Sequence, residues 1–499
     1  MLLGKLLGAA DILCPKEYEN IEVDNIVTDS RKATIGSVFV CLKGRSDDGH
    51  AHIDEAIKAG ASVIVAERMR DECVGGAAII YCDNTRHAIS RLYNYRFGEP
   101  TKKMKMVGVT GTNGKTSVTE MLRWIFFKSG YKAGSIGTLG SFLGNERLST
   151  HVSGMTTPEP EELYRTLSLM AEEGAEIVFM EVSSHSLVEG RVDAIEFDTA
   201  VFTNLTRDHL DFHKDIEEYF LAKLELFKKS RRGVVNVGAE FGKRVVSEAF
   251  CPIFTCSDGV EGDFLAENIK MNGSESAEYD MVCSIDGCER SRVFIPMAGK
   301  FAIINSLEAL AVAKLFEVDT HKAILALSEF QGVSGRMERV VTDTDSDLDV
   351  FIDYAHTPDA LEGTLRSARE FRRDGQKITL LFGCGGDRDR GKRKEMGRIA
   401  SSLADLVIVT SDNPRSEDKM QIISDILKGI DKEKPYTVIA DRETAIKTAI
   451  EFAREGEMVI LAGKGHEKYE INSEGKHSFD EYIIALASMK RRYEKHKKG

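Results

Sequence analysis

The sequence predicts an α/β protein of about three domains, and three observations lead there. At 499 residues the chain exceeds one ordinary core, and at roughly 150 residues per domain it divides into about three. A glycine-rich turn, TGTNGKTS, is set between an apolar strand and a helix. Short, continuous apolar runs recur at helical separations, as expected of parallel sheets covered on both faces.

The first stretch, to about Phe97, mixes the apolar runs SVFVCL and SVIVAE with the turn-rich KGRSDDGHAH, which predicts a small α/β domain. GEPTKK makes a break. MKMVGVTGTNGKT then reads as a buried strand entering a glycine-rich turn, and Val118, Met121, Leu122 and Ile125 recur at helical spacing beyond it. AEIVFMEV, DTAVFTNL and RGVVNV continue a second α/β domain. After GVSGRME a new series begins, DVFIDYAH, KITLLFGCGG, DLVIVTSD, YTVIAD and EMVILAGKGH, each strand ending in a polar or glycine-rich turn. This third unit reads as Rossmann-like. The expected domains are 1–98, 99–333 and 334–499.

Composition narrows the function classes. Hydrophobic residues at 42% and charged residues at 29% suit a globular chain, and no apolar run approaches the ~18 residues of a membrane span. The amino terminus lacks the pattern of a cleaved leader, so it is read as mature protein. A formal charge of −13 argues against a broad phosphate-backbone surface, so nucleic acid is not an expected partner. Nine scattered cysteines without CxxC pairs fit a reducing cytoplasm, and nothing around Cys283 and Cys288 completes a zinc site. The basic ending KRRYEKHKKG reads as a solvated helix end.

The chemistry centres on residues 110–117. Gly111, Thr112, Asn113 and Gly114 let backbone N–H groups approach phosphate, and the following helix adds positive potential. Lys115 suits the β- and γ-phosphates, Thr116 suits Mg²⁺, and Ser117 closes the motif. A phosphate loop alone does not separate a motor, a kinase and a ligase. Glu181 ends the run IVFMEV and is placed at the carboxyl edge of a parallel strand, where open sheets gather ligand groups. It is the expected Mg²⁺ ligand.

TGTNGKTS is followed by TTPE at 156–159, EVSSH at 181–185, NLTRDHLDFH at 204–213, GRME at 335–338, DYAHTPD at 353–359, GCGGDRDRGKR at 383–393, DNPR at 412–415 and GKGHE at 463–467. In this order and spacing the motifs resemble the Mur ligase family over nearly the whole chain, and the leading VTDSRKATIGSVFVCLKG resembles the uridine-nucleotide domain of the member that attaches the third peptide residue.

The resemblance implies a three-domain Mur ligase: an N-terminal UDP-binding domain, a central ATP-binding phosphate-loop domain and a C-terminal Rossmann-like domain for the amino acid. It implies that ATP phosphorylates the free carboxylate of UDP-MurNAc-L-Ala-D-Glu and that the amine of meso-diaminopimelate displaces phosphate, in a cytoplasmic enzyme, expected as a monomer, with two Mg²⁺ ions.

It further implies His209 as a ligand of a second Mg²⁺, and Lys223 as a carbamate-bearing residue, N6-carboxylysine, that helps to hold metal. Thr156, Thr157, Ser183 and Arg191 correspond to contacts of the muramoyl dipeptide, and Ser30 to a uridine-diphosphate contact. Asn305, Arg336, Asp353 and His356 correspond to nucleotide contacts. Ala302 and Ser334 stand where the family commonly has Asn and Pro, which bears on the adenine side. Arg415, Arg388, Asp412, Asn413, Gly463 and Glu467 correspond to the diaminopimelate pocket. A planar guanidinium at Arg415 would pair with the distal carboxylate and repel the bare ammonium of lysine. The alternatives are a Mur-type ligase for L-lysine or another amino acid, a non-ligase phosphate-loop ATPase, and a non-catalytic paralogue.

Overall fold

The computed structural model describes residues 1–44, 47–68, 75–150, 153–207, 212–259, 261–285, 287–343 and 347–498. Among these residues the strands form three main sheets and one small hairpin. No described helix is long and apolar enough to cross a membrane, and every described cysteine is a free thiol.

Strands Asn25–Val27, Ser37–Val40, Ala61–Ala66 and Ala78–Tyr81 pair in sequence order as a parallel sheet. Alternation sends Val38, Val40, Val63, Val65 and Ile80 to one face, under helix Thr85–Arg96, and Phe39 and Ile64 to the other, over helix Ile53–Lys58. The first of these cores does not stop at the N-terminal sheet. It runs on through Leu92 and Tyr93 into Leu163, Tyr164, Val178 and Phe202 of the next layer.

The central sheet has eleven strands. Lys105–Thr110 lies in its parallel middle, between Thr199–Phe202 and Ile177–Glu181. Val107 and Val109 point to helices Lys115–Lys128, Lys300–Leu315 and Thr320–Ser328, while Met106 points to the opposite face with helices Pro160–Glu172 and Ile216–Lys228. Both edges are antiparallel. One is the run Ala133–Gly137, Gly140–Leu143, Glu146–Leu148, and the other the meander Phe264–Asn272, Ser276–Cys283, Glu289–Ile295.

In the third sheet, Asp349–Asp353, Met458–Ala462, Ile378–Phe382, Leu406–Val409 and Tyr436–Val438 run parallel in that spatial order, with Glu338–Arg339 antiparallel at one edge. It is doubly wound: Leu380, Phe382 and Ile460 face helices Pro358–Phe371, Gly391–Leu403 and Lys419–Leu427, whereas Leu381, Val459 and Leu461 face helices Arg442–Glu451 and Glu481–Lys498. The last strand is inserted between the first and second, so the order differs from that of dinucleotide-binding sheets. Asp353, Asp412 and Gly463 all sit at or just beyond the carboxyl ends of these strands, as the phosphate loop and Glu181 do in the central sheet.

Candidate active site

The phosphate loop takes its shape from glycines and from the strand beside it. Gly114 has φ +87°, and a Cβ there would stand 2.8 Å from Asn305 Oδ1; on Gly111 it would stand 1.9 Å from Thr203 Oγ1. Both positions exclude a side chain. Gly114 precedes helix Lys115–Lys128 without any side-chain cap, so the amides of the first turn face outward with the positive end of the helix dipole. Thr203 Oγ1 donates to the Asn113 carbonyl at 2.6 Å, Asn204 Oδ1 accepts from Asn113 N at 3.0 Å, and the Asn204 carbonyl accepts from Thr112 N at 2.9 Å. Lys115 Nζ curls over the loop to the carbonyls of Gly111 and Thr112, each at 2.9 Å. Ser117 is buried on the same turn.

Glu181 is the hub of the adjoining cluster. Its carboxylate accepts from Thr116 Oγ1 at 3.0 Å, Thr138 N at 2.8 Å and Thr138 Oγ1 at 3.1 Å, and a Cβ on Gly137 would come within 2.2 Å of Oε1. Burial pushes its pKa up, against the cations Lys115 and Arg336 and the hydrogen bonds it accepts. Thr156 Oγ1 meets Thr138 Oγ1 at 3.1 Å. Thr157 Oγ1 donates to the Glu181 carbonyl at 2.8 Å and accepts from Ser183 N at 3.1 Å. Arg191 donates to the Thr157 carbonyl at 2.7 Å and pairs with Glu159 at 2.7 Å. The expected residues Thr116, Thr156, Thr157, Glu181, Ser183 and Arg191 are therefore one connected group.

Lys223, buried on helix Ile216–Lys228, donates to the Gly111 carbonyl at 2.8 Å and lies 4.4 Å from the centre of the Tyr219 ring. His209 lies outside the described residues. Ser30 is remote from this cluster in sequence and sheet; its hydroxyl donates to Glu55 Oε2 at 2.7 Å in the N-terminal unit. The donor set of Thr116 hydroxyl and Glu181 carboxylate is hard oxygen, which fits Mg²⁺, whereas an amine at Lys223 fits it only once converted to a carboxylated nitrogen. Among the described residues no group of three or more His, Cys, Asp and Glu stands close enough to form a metal site alone.

The third sheet reaches this cluster through Arg336, whose Nη2 is 3.4 Å from Thr116 Oγ1 and whose guanidinium lies 5.0 Å from the Tyr354 ring centre. Asp353 accepts from Met337 N, Ala355 N and Thr364 Oγ1, and burial raises its pKa. His356 bonds the Tyr354 carbonyl through Nδ1 at 2.8 Å, and burial, with Lys392 beside it, lowers its pKa. Asn305 is buried against Gly114, and Ala302 one turn earlier is fully enclosed in the apolar core. Ser334 Oγ donates to Glu338 Oε2 at 3.1 Å.

Beyond His356 opens a cavity of about 920 Å³ lined by Arg388, Asp412, Asn413, Arg415, Gly463 and Glu467 together with His356, Lys392 and Arg207. All six residues expected for the amino acid thus share one wall system, although they come from three separate loops. Arg415 holds φ +53° and donates from Nη1 to the Gly386 carbonyl at 2.7 Å. Asn413 Nδ2 donates to Glu467 Oε2 at 2.8 Å, and burial raises the pKa of Glu467.

Several members of the site escape sequence reasoning. Thr138, which gives Glu181 two hydrogen bonds, sits in an unremarkable GTLG turn. Thr203 precedes a motif but is not distinguished by it. Lys392, which donates to the His356 carbonyl at 2.9 Å, is one cation in a basic run. Their partners lie far away in sequence, so no local spacing could mark them.

Three family descriptions match the chain: Mur ligase family, catalytic domain, over 22–94; Mur ligase middle domain over 109–313; and Mur ligase, glutamate ligase domain, over 335–465. The UDP-N-acetylmuramoyl-L-alanyl-D-glutamate–2,6-diaminopimelate ligase of Clostridioides difficile is 41% identical over 97% of this chain and 99% of its own. Ligase 1 of the same name from Clostridium acetobutylicum is 39% identical over 98% and 99%. A solved structure of a ligase with that name superposes with a TM-score of 0.70 at 28% identity, covering 99% of this chain and 100% of the other. With full-length identity of this order and family descriptions matching all three of its main units, the chain belongs to the Mur ligase family.

Proposed function

We propose that this chain is an ATP-dependent ligase that adds meso-diaminopimelate to UDP-MurNAc-L-Ala-D-Glu in cytoplasmic peptidoglycan precursor synthesis. The observation that carries the proposal is the cavity of about 920 Å³, which presents the guanidinium groups of Arg388 and Arg415 and the carboxylate of Glu467 to one space. A distal end bearing both a carboxylate and an ammonium matches that pairing, whereas the ammonium end of lysine would leave Arg415 unpaired. The names of full-length relatives at 39% and 41% identity support the same substrates.

In this reading residues 1–98, with Ser30, take the uridine diphosphate, residues 99–333 take ATP, and residues 334–499 take the amino acid. The γ-phosphoryl group of ATP passes to an oxygen of the glutamate carboxylate, giving an acyl phosphate and ADP. The amine then attacks the acyl carbon, and the C–O bond to phosphate breaks as the amide forms. Loop amides and Lys115 hold the transferring phosphate, and Arg191, Thr156, Thr157 and Ser183 orient the dipeptide. Asn305, Arg336, Asp353 and His356 close over the nucleotide from the two units. Thr116, Glu181, His209 and a carbamylated Lys223 would hold Mg²⁺, which when bound offsets the charge of the two anionic reactants.

Phosphate release with ATP, Mg²⁺ and UDP-MurNAc-L-Ala-D-Glu, compared for meso-diaminopimelate, L-lysine and no amino acid, tests the proposal. Release that requires meso-diaminopimelate, with a product of the tripeptide mass, supports it. Stimulation by lysine, or hydrolysis without acceptor, overturns it.

A further inference from the structure

Behind the cavity wall lies a second layer of polar groups. Lys464, the second residue of GKGHE, is fully buried and is not part of the lining. Its ammonium donates to Asn413 Oδ1 and to the Tyr469 carbonyl, each at 2.9 Å, and stands 3.4 Å from Asp412 Oδ1. The Ile471 amide donates to the same Asn413 Oδ1 at 2.9 Å.

An ammonium and a backbone N–H are donors only, so two of them on one atom require that atom to be the amide oxygen. Asn413 Nδ2 must then point the other way, to Glu467 Oε2. Lys464 and the Ile471 N–H hold this orientation jointly; without Lys464, Asn413 Oδ1 keeps only the Ile471 N–H, and the amide that aims at Glu467 is held less firmly. The same hairpin, Tyr469–Asn472 with Gly475–Ser478, also accepts the Arg415 N–H at the Ile471 carbonyl, 3.0 Å away, and so supports the left-handed conformation of Arg415.

We infer that Lys464 is a positioning residue for selection of the amino acid: through Asn413 it aims Glu467, and through the hairpin after Tyr469 it steadies Arg415. The inference rests on the reading of the cavity proposed above. Lys464 touches no substrate in this scheme. Its effect is confined to the distal end of the amino acid, because its bonds lead to Asn413, Asp412 and Tyr469 and not to the phosphate loop.

Steady-state kinetics of full-length Lys464→Met against wild type test it. The KM for meso-diaminopimelate is expected to rise at least tenfold, with kcat changed less than threefold and the KM values for ATP and UDP-MurNAc-L-Ala-D-Glu within twofold. Lys464→Gln, which keeps a shorter N–H donor, is expected to recover part of the loss, and it carries the test should Lys464→Met not fold. Combined with Glu467→Gln, Lys464→Met is expected to add little, since both act on one network. An unchanged KM for meso-diaminopimelate, a parallel loss in every KM and kcat, or full additivity overturns the inference. A wild-type enzyme indifferent to meso-diaminopimelate would instead remove the functional proposal. A crystal structure of Lys464→Met then decides the positioning role without substrate: Asn413 Nδ2 still 2.8 Å from Glu467 Oε2 with the Arg415 N–H still on the Ile471 carbonyl overturns it, and a shifted or turned Asn413 amide supports it.

Discussion

Glu308 should be a liability that substitution removes. It lies in helix Lys300–Leu315, one turn beyond Asn305, fully buried among apolar side chains, and neither carboxyl oxygen has a hydrogen-bond partner among the described residues. Burial alone raises its pKa well above 4.5, so the fold favours the neutral acid over the carboxylate. Leaving a buried polar group unpaired costs about 1–3 kcal/mol, and Glu308→Met, of similar length, should recover about that much. For a cooperative unit of roughly 150–250 residues each kcal/mol corresponds to about 2–4 °C in Tm.

The sign of the pH dependence follows from linkage. Because the folded pKa is the higher one, the favourable proton binding is complete below the unfolded value of 4.5 and is lost as pH rises through the folded value. The advantage of Glu308→Met over wild type should therefore grow by about 1.4 kcal/mol per pH unit above the unfolded value, until the folded pKa is passed. Glu308→Gln keeps an unpaired polar group and removes only the pH dependence. Thermal melting of the three chains at pH 5, 6, 7 and 8 measures both effects. A Glu308→Met chain that melts below wild type at pH 8, or a difference that stays flat with pH, would refute the reading of Glu308 as an unpaired neutral acid.

Gly114→Ala forces a side chain onto a left-handed backbone 2.8 Å from Asn305 Oδ1 and should lower phosphate release at least 100-fold, read in the coupled assay. Lys223→Ala is expected to lower kcat at least 100-fold at saturating Mg²⁺; unchanged activity there would end the carbamate assignment. Arg415→Lys loses planar, two-point recognition of a carboxylate, so the KM for meso-diaminopimelate should rise about 10- to 100-fold while that for ATP holds, as initial rates would reveal. Chelation of divalent ions should abolish turnover and added Mg²⁺ restore it, with residual full activity in chelator counting against an ion held at Thr116 and Glu181.

The parts of the fold readable from sequence are those where burial on both faces makes apolar runs continuous. Ile177–Glu181, Ile378–Phe382 and Met458–Ala462 are fully buried strands, and each was recognisable as such. The meander Phe264–Ile295 was not, because its strands are solvated on one face. Glu267, Glu278, Asp280, Arg290 and Arg292 form a cross-strand charge ladder there that resembles loop composition. The hairpin Tyr469–Ser478 escaped for the same reason. In the site, the phosphate loop is legible because its requirements are local, glycines at fixed offsets before a helix. Thr138 is not, since what distinguishes it is a partner delivered by another strand, and Lys464 stands inside GKGHE without that motif revealing which groups it holds.

Among the described residues the continuous core that joins the N-terminal sheet to the central one has no counterpart at the third sheet, whose own two cores include only Ala298 from the preceding residues. Polar contacts, such as Ser274 with Asp349 and Arg336 with Thr116, join the third sheet to the central unit instead. Force or heat applied to the chain should separate it at the polar cleft around Arg336 and the large cavity, leaving the first two sheets to lose their structure together.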